Sequence, residues 1–170
     1  MTRVGVTGHR DLSARTDVLV TAALATELAK FNSLSGISSL AEGTDQIFAE
    51  QVLKAGGTLT ALIPCEDYGL SFETSAGKVT YRRLRDQAEE VIRLPFPAPS
   101  EEAFWAAGKR LVTLADVLLA VWDGSPSAGV GGTADVVAFA GRHGVPTIVL
   151  WPAGARRRSS IDTAQIPVQD

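Results

Sequence analysis

Three glycine-containing segments stand where an apolar run gives way to a segment of helical period. They read TGHRDLSA at residues 7–14, LAEGTDQIFAE at residues 40–50 and WDGSPSAGVGGTAD at residues 122–135. Glycine lets the backbone approach a ligand without a Cβ in between, and a helix start offers unpaired N–H groups and the positive end of its dipole. The chemistry that these segments share is therefore the binding of an anion such as a phosphate.

The third segment has the most direct phosphate-binding pattern, with Gly131, Gly132 and Thr133 just before a predicted helix. Gly132 would keep the approach to the backbone N–H groups open, and Thr133 would offer its hydroxyl and its N–H. Gly8 and Gly43 occupy equivalent places in the other two segments. An ordinary tight turn explains any one of these glycines, but their repetition after three strands favours a shared ligand site.

Polar residues beside these glycines are candidates for ligand contact. Arg10 could grip a phosphate with two parallel hydrogen bonds, or pair with a nearby carboxylate. His9 could stack on a base or transfer a proton, or be a hydrogen-bonded imidazole. Asp123, which Gly124 follows, could accept from ribose hydroxyls or amines, or cap its own loop. The sequence leaves both roles open for each side chain.

The acidic turn at residues 42–45 also has two interpretations. Glu42 and Asp45 could hold a magnesium ion through a bound phosphate. We expect no metal site, however, because the two histidines, one cysteine and scattered carboxylates lack the usual ligand spacing. Carboxylates near a helix start also stabilise the helix, and Thr44 is a candidate N-cap.

Short β-branched runs alternate along the chain with longer segments of helical period. The strands are predicted within RVGVTG, GISSLA, TLTALIP, VIRLP, VLLAVW and PTIVLW. These runs are almost continuously apolar, as strands are when helices cover both faces of a parallel sheet. The pattern predicts an α/β fold, with a Rossmann-like, doubly wound, mostly parallel sheet of about six strands and helices on both faces. The ligand site of such a fold lies beyond the carboxyl ends of the strands.

Length and composition indicate one domain. The chain has 170 residues, of which 45% are hydrophobic, which suits one core and is short for two. We predict a nucleotide-binding domain at residues 1–152 and a flexible or peripheral C-terminal tail at residues 153–170. The three arginines at 156–158 are interpreted as a solvated basic cluster of that tail rather than as a phosphate contact.

The charge and the apolar pattern exclude several classes of function. A formal net charge of −3 gives no general attraction to nucleic-acid phosphates, so we expect no bulk binding of DNA or RNA. The single cysteine, Cys65, cannot form an internal disulfide and has no evident base beside it. Neither a signal core nor a membrane-length apolar run is present, so we expect a cytoplasmic protein without membrane contact.

The quoted motifs together resemble the SLOG superfamily of Rossmann-like proteins, which includes DNA-processing protein A, the Lonely Guy phosphoribohydrolases and the YpsA-like proteins. The resemblance runs from Arg3 to about Trp151 and is most specific in AVWDG and GGTA, which are close to the YpsA-like pattern. It implies a nucleotide or nucleotide-derived ligand whose phosphate is held by the GGT loop. The residues that match the family's phosphate loop, first-strand glycine and acidic turn are Gly131, Gly132, Thr133, Gly8, Glu42, Gly43 and Asp45.

The chain departs from the enzymatic branch of this superfamily at one position. Lonely Guy enzymes carry a glutamate three residues after the threonine of the loop, and that carboxylate serves the glycosidic cleavage. Val136 stands at the matching position here, and Asp135 lies one residue earlier, about 100° around the helix. Whether the chain is an enzyme is therefore left open, with Glu42 and Asp135 as the candidate catalytic residues.

These observations predict a protein that binds or senses a nucleotide or a nucleotide-derived small molecule, with no further cofactor. The alternative is a phosphoribohydrolase that cleaves the N-glycosidic bond of a nucleoside monophosphate. We also predict a homodimer, because the segment EEAFWAAGKRLVTLA at residues 101–115 is more apolar than a monomer surface.

Overall fold

The computed structural model describes residues 1–158, which form a six-stranded sheet with parallel pairing throughout. Its strands are β1 (Thr2–Gly8), β2 (Leu34–Ser38), β3 (Thr58–Ile63), β4 (Glu90–Arg93), β5 (Val117–Val121) and β6 (Thr147–Leu150). Their order across the sheet is β4-β3-β2-β1-β5-β6. The chain builds outward from β1 to one edge and then returns to place β5 on the other side of β1. This reversal makes the β1–β5 boundary the switch point of a doubly wound sheet.

Helices connect the strands and differ in how they begin. They are α1 (Ala14–Leu28), α2 (Thr44–Lys54), α3 (Ser75–Gln87), α4 (Glu101–Leu114) and α5 (Thr133–Arg142). Ser13, Thr74 and Ser100 cap α1, α3 and α4, because each side-chain oxygen accepts an N–H of the first helical turn. Glycines stand at the N-caps of α2 and α5, which have no side-chain cap. The expectation that Thr44 is an N-cap is therefore wrong, since Gly43 takes that place and Thr44 is the first helical residue.

Apolar side chains fill both faces of the sheet. On one face, Leu24 of α1 and Phe48 of α2 pack into the cluster formed with β1 and β5. On the other face, Leu111 of α4 and Val136 of α5 pack with residues of β2, β3 and β5. Every residue of β2 and β5 is buried, and the sequence of β5, VLLAV, is continuously apolar, as suits a strand that is covered on both faces. The predicted α/β doubly wound fold is confirmed.

Helix α4 is the segment from which the homodimer is predicted. Its residues Ala103, Ala107, Leu111 and Val112 are buried in the domain core. Trp105 also packs edge to face on Phe139 of α5, with the ring centroids 5.6 Å apart. The core therefore accounts for most of the apolar character of α4, and this helix gives the homodimer no support. None of the helices within residues 1–158 combines the length and the apolar character that crossing a bilayer requires.

Residues 153–158 begin the predicted C-terminal tail and are held against the domain. An antiparallel bridge joins Leu12 and Arg157, and the backbone of Arg156 exchanges hydrogen bonds with the Thr16 hydroxyl at 2.7 and 2.8 Å. Thr16 is fully buried. This part of the tail thus lies across the loop after β1. The remaining tail residues, 159–170, are outside the described range.

Candidate functional site

A cleft of about 480 Å³ opens at the carboxyl edge of the sheet, where the chain reverses direction. The loops after β1, β2, β3 and β5 form its walls, together with one side of α4. Its size is within the usual range of small-molecule sites, and its place is the one predicted for a doubly wound sheet. Gly8, Gly132 and Thr133 line it together, as the sequence predicts.

The loop that precedes α5 is braced from inside. Gly131 has a φ of +84°, a left-handed conformation that suits glycine, and its N–H donates to Asp135 Oδ2 at 2.8 Å. Asp135 in turn donates its N–H to Ser127 Oγ at 3.3 Å. The N–H of Gly131 is therefore occupied, and the Asp135 carboxylate holds the loop rather than facing the cleft as an unpaired group.

The N–H groups of the next three residues are differently placed. Those of Gly132, Thr133 and Ala134 have no hydrogen-bond acceptor within residues 1–158. All three residues line the cleft. They also stand at the start of α5, whose dipole adds positive potential. This helix start thus has three backbone donors without protein acceptors, an arrangement that suits an anion.

The sequence predicts that three helix starts face the ligand, and protein groups occupy part of the starts of α1 and α2. Ser13 caps α1 by accepting the N–H of Thr16 at 3.2 Å. The N–H and the hydroxyl of Thr44 both donate to the carbonyl of His9, at 3.3 and 2.9 Å. The first turn of α2 is therefore tied to the β1 loop, and Thr44 supports that loop from behind.

His9 and Asp123 form a pair at the switch point. His9 Nε2 lies 3.0 Å from Asp123 Oδ1, and the imidazole is only 8% exposed. The same Asp123 oxygen accepts the N–H and the hydroxyl of Ser125, at 2.9 and 2.5 Å. Burial opposes the ionisation of Asp123, but the hydrogen bonds from Ser125 and His9 outweigh it and hold its pKa at about 2. Asp123 therefore caps its own loop and orients His9.

Arg10 lies over the opposite half of the cleft. Its guanidinium carbon is 5.2 Å from the centre of the Phe104 ring, a cation–π arrangement. Its charge partly offsets the burial that raises the pKa of Asp45, and it adds to the hydrogen bonds that lower the pKa of Glu42. The backbone of Arg10 also packs on Gly43, where an added Cβ would lie 2.6 Å from the Arg10 carbonyl oxygen. Gly43 therefore allows the loops after β1 and β2 to touch.

Glu42 and Asp45 have different surroundings although they are three residues apart. Glu42 accepts the hydroxyl and the N–H of Thr74 at 2.7 and 3.0 Å, so it anchors the start of α3. Burial favours its neutral form, but these hydrogen bonds dominate and lower the pKa of Glu42. Asp45 lines the cleft and accepts the N–H of Ala41 at a long 3.4 Å. Burial raises the pKa of Asp45 to about 6, against the lowering effect of Arg10.

The cleft collects part of the residue set predicted from the sequence. Those that line it are Gly8, His9, Arg10, Asp45, Gly131, Gly132 and Thr133. The others support the loops from outside the lining, namely Glu42, Gly43, Thr44, Asp123 and Gly124. The structure adds Tyr68, Phe104, Ser127 and Arg157, which sequence reasoning missed. No local motif marks these four, because each reaches the cleft from a different loop or helix.

The two candidate catalytic carboxylates are both engaged in structural hydrogen bonds. Asp135 accepts from Gly131 and Glu42 accepts from Thr74. Val136, at the position of the glutamate in the Lonely Guy pattern, is 4% exposed and packs in the core of the α4–α5 layer. Within residues 1–158, no group of three or more His, Cys, Asp and Glu side chains is arranged to hold a metal ion. Cys65 is buried in the cluster around Tyr68, and burial raises the pKa of its thiol.

Comparison with solved structures identifies proteins of the same architecture. DNA processing protein A (DprA) from Streptococcus pneumoniae superposes with a TM-score of 0.68 and 20% identity, over 91% of this chain and 52% of that one. DprA from Helicobacter pylori, described for its single-stranded DNA binding mode, gives a TM-score of 0.66 and 22% identity, over 90% and 66%. The chain thus spans about half of the first protein and two thirds of the second.

A molybdenum cofactor binding protein from the phototrophic bacterium Rippkaea orientalis has the same architecture. Its TM-score is 0.57 at 19% identity, over 89% of this chain and 77% of that one. No protein-family model matches the sequence, and no curated protein matches it significantly. At these identities the likeness concerns the fold alone. This chain therefore has the same Rossmann-like fold as DprA and the molybdenum cofactor binding protein.

Proposed function

We propose that this chain binds a nucleotide or a nucleotide-derived small molecule in the cleft, with a phosphate group at the start of α5. The observation that carries the proposal is the set of N–H groups of Gly132, Thr133 and Ala134, which lack acceptors within residues 1–158 and line the cleft. Backbone donors at a helix start suit a phosphate because they need no rearrangement and add the helix dipole.

The length of the cleft suits a nucleotide better than a free phosphate. Its wall runs from the loop after β5, past those after β1 and β2, to the loop after β3. Adjacent strands are about 4.8 Å apart, so this path covers about 14 Å. That span accommodates a phosphate, a ribose and a base in a row. The far end offers Tyr68, Phe104 and Pro64 as apolar surface and Asp45 as a hydrogen-bond acceptor.

Binding, rather than hydrolysis, is the activity that we propose for this site. A phosphoribohydrolase needs a carboxylate free to act on the glycosidic bond. Asp135 and Glu42 are both committed to structural hydrogen bonds, and position 136 is a buried valine. The carboxylates that line the cleft, such as Asp45 and Glu101, belong to the first turns of α2 and α4 and not to the position three residues after the loop threonine.

Small-molecule binding is also preferred over bulk binding of nucleic acid. The net charge of −3 gives no extended positive surface for a phosphate backbone. The single-stranded DNA binding described for the Helicobacter protein is a property of that protein. For this chain, the affinity for an oligonucleotide is to be measured beside the affinity for a mononucleotide.

Calorimetric titration with AMP and GMP, set against adenosine and guanosine, tests the proposal. We expect the monophosphates to bind and the nucleosides to bind at least tenfold more weakly, because the phosphate contacts are lost. Mass spectrometry of the gently purified protein should show a retained small molecule. Incubation with the same monophosphates should release no free base. Binding of nucleosides and nucleotides with equal affinity, or of an oligonucleotide alone, contradicts the proposal.

A further inference from the structure

The C-terminal segment at residues 155–158 is docked on the domain by its backbone. Besides the exchange with the Thr16 hydroxyl, the carbonyl of Arg156 accepts the N–H of Ser13 at 3.3 Å. The N–H of Arg158 donates to the carbonyl of Asp11 at 2.6 Å. These bonds flank the bridge between Leu12 and Arg157. The position of the segment therefore does not depend on the arginine side chains.

The Arg157 side chain is directed to the ligand cleft by this docking. Its Nε donates to both carboxylate oxygens of Asp11, at 2.9 and 3.0 Å. Its Nη1 and Nη2 have no acceptor within residues 1–158, and Arg157 is part of the cleft lining. Arg156 next to it is absent from the lining and makes its contacts through backbone atoms. The two arginines thus have the same charge and unequal access to the cleft.

Arg157 is bound to Asp11 in the loop after β1, and β1 is the sheet neighbour of β5, whose following loop leads to α5. The hydrogen bond to Asp11 is the main reason why the pKa of Arg157 is raised, and the charge of Asp123 at the end of β5 adds to it. Arg10, in contrast, acts on Asp45 and Glu42 in the loop after β2.

We propose that Arg157 is a second phosphate contact of the cleft, supplied by the C-terminal segment, and that it receives the phosphate together with the start of α5. This inference rests on the proposed function, since it concerns the same ligand. Asp11 fixes the guanidinium through Nε and leaves the two outer nitrogens to bind two phosphate oxygens. A terminal phosphomonoester, with two negative charges, suits a site that combines a guanidinium and a helix dipole. Under this proposal, Arg157 contacts the ligand, whereas the sequence analysis interprets all three arginines at 156–158 as a solvated cluster.

Titration of AMP and adenosine into four proteins tests this assignment. They are the parent, Arg157→Ala, Arg157→Lys and the matched control Arg156→Ala. We expect Arg157→Ala to lower the affinity for AMP about ten- to hundredfold while adenosine binding stays unchanged. Arg157→Lys should recover little, because lysine cannot reproduce the two-pronged contact. Arg156→Ala removes the same charge and should bind AMP like the parent.

Thermal unfolding of the same variants shows whether residues 155–158 stay docked. A second measurement uses the parent protein, in which no substitution can disturb the docking. NMR of the arginine Nε–Hε groups, with inorganic phosphate as the probe, should show one signal shifting that Arg157→Ala removes. If AMP binds the parent and Arg157→Ala equally well, Arg157 is not a phosphate contact, although the proposed function stands. If no nucleotide binds but phosphate shifts Arg157, the proposed function fails and the anion site stands. An unshifted Arg157 signal overturns the assignment.

Discussion

The backbone N–H of Gly131 donates to the carboxylate of Asp135 at 2.8 Å. Asp135, which the sequence suggests as a candidate catalytic residue, therefore stabilises the loop that precedes its own helix. Gly131 can take part because its φ of +84° turns the chain back towards the helix. The following N–H groups then face the cleft in the absence of a side-chain cap. Under the proposed function, Asp135 contributes to binding by shaping the loop.

The first prediction follows from this brace. Asp135→Ala should lower the free energy of unfolding by about 1 kcal/mol and weaken nucleotide binding several-fold, because the loop loses an acceptor at its turn. Asp135→Asn keeps an acceptor oxygen and should resemble the parent in both respects. Thermal denaturation and calorimetry measure the two effects. A catalytic Asp135 would be shown by turnover instead, because the Asn variant would then bind nucleotide like the parent but release no free base where the parent does.

The second prediction concerns the room beside Gly132. A Cβ at this position would lie 2.6 Å from Ser127 Oγ and 2.8 Å from Ser127 Cβ, closer than ordinary contacts allow. Gly132→Ala should therefore displace the 125–131 loop and reduce nucleotide affinity at least tenfold.

Adding Ser127→Gly to Gly132→Ala tests whether the clash with Ser127 causes the loss of affinity, because it removes the side-chain atoms that the new methyl group meets. We expect Gly132→Ala with Ser127→Gly to regain most of the lost affinity, while Ser127→Gly alone has a small effect. Equal loss in the single and double variants would mean that the methyl group blocks the ligand itself. Parental affinity in Gly132→Ala would show that the loop is not where the phosphate binds.

The fold could be predicted from the sequence because its signals are local. Strands β5 and β6 are apolar runs, β1 and β3 are rich in β-branched residues, and the first five strands are each followed by a segment of helical period. Burial of β2 and β5 on both faces also leaves no polar alternation that would suggest an antiparallel sheet. The bounds of β2 differ from the prediction, since the run GISSLA covers residues 36–41 and the strand is Leu34–Ser38.

The candidate site was predicted only where one segment carries the whole signal. The loop around Gly132 is such a segment. His9 and Asp123 are separated by 114 positions, and Glu42 reaches Thr74 across 32. Such contacts depend on how strands and helices are arranged, which periodicity does not reveal. Arg157 was assigned to a solvated tail for the same reason, since its bridge to Leu12 is formed only in the folded chain.

The third prediction tests Glu42 as an anchor rather than a catalyst. Glu42→Ala should lower the free energy of unfolding by roughly 1–3 kcal/mol, because three donors of Glu73 and Thr74 lose their acceptor. Nucleotide affinity should change little, since Glu42 is not part of the cleft lining. Combination with Thr74→Val should add less than the sum of the two single effects, because both remove the same bond. Additive losses would mean that the two residues act separately.

The fourth prediction concerns the pH dependence of stability. Burial raises the pKa of Asp45 from 3.8 to about 6. Between these values the folded protein retains a proton that the unfolded chain has released. The free energy of unfolding therefore falls as the pH rises through this window, by at most about 3 kcal/mol for a shift of this size. The cleft is open to solvent, so we expect a smaller value than this limit.

Asp45→Asn removes the group responsible while keeping an oxygen that can accept the N–H of Ala41. The variant should unfold at a higher temperature than the parent at pH 7, where the parent must keep a desolvated charge. At pH 4, where Asp45 is largely protonated in the folded state, the two proteins should unfold at similar temperatures. Thermal denaturation at both pH values measures this difference. A variant that is destabilised by the same amount at pH 4 and pH 7 would mean that the hydrogen bond of Asp45, and not its charge, determines stability here.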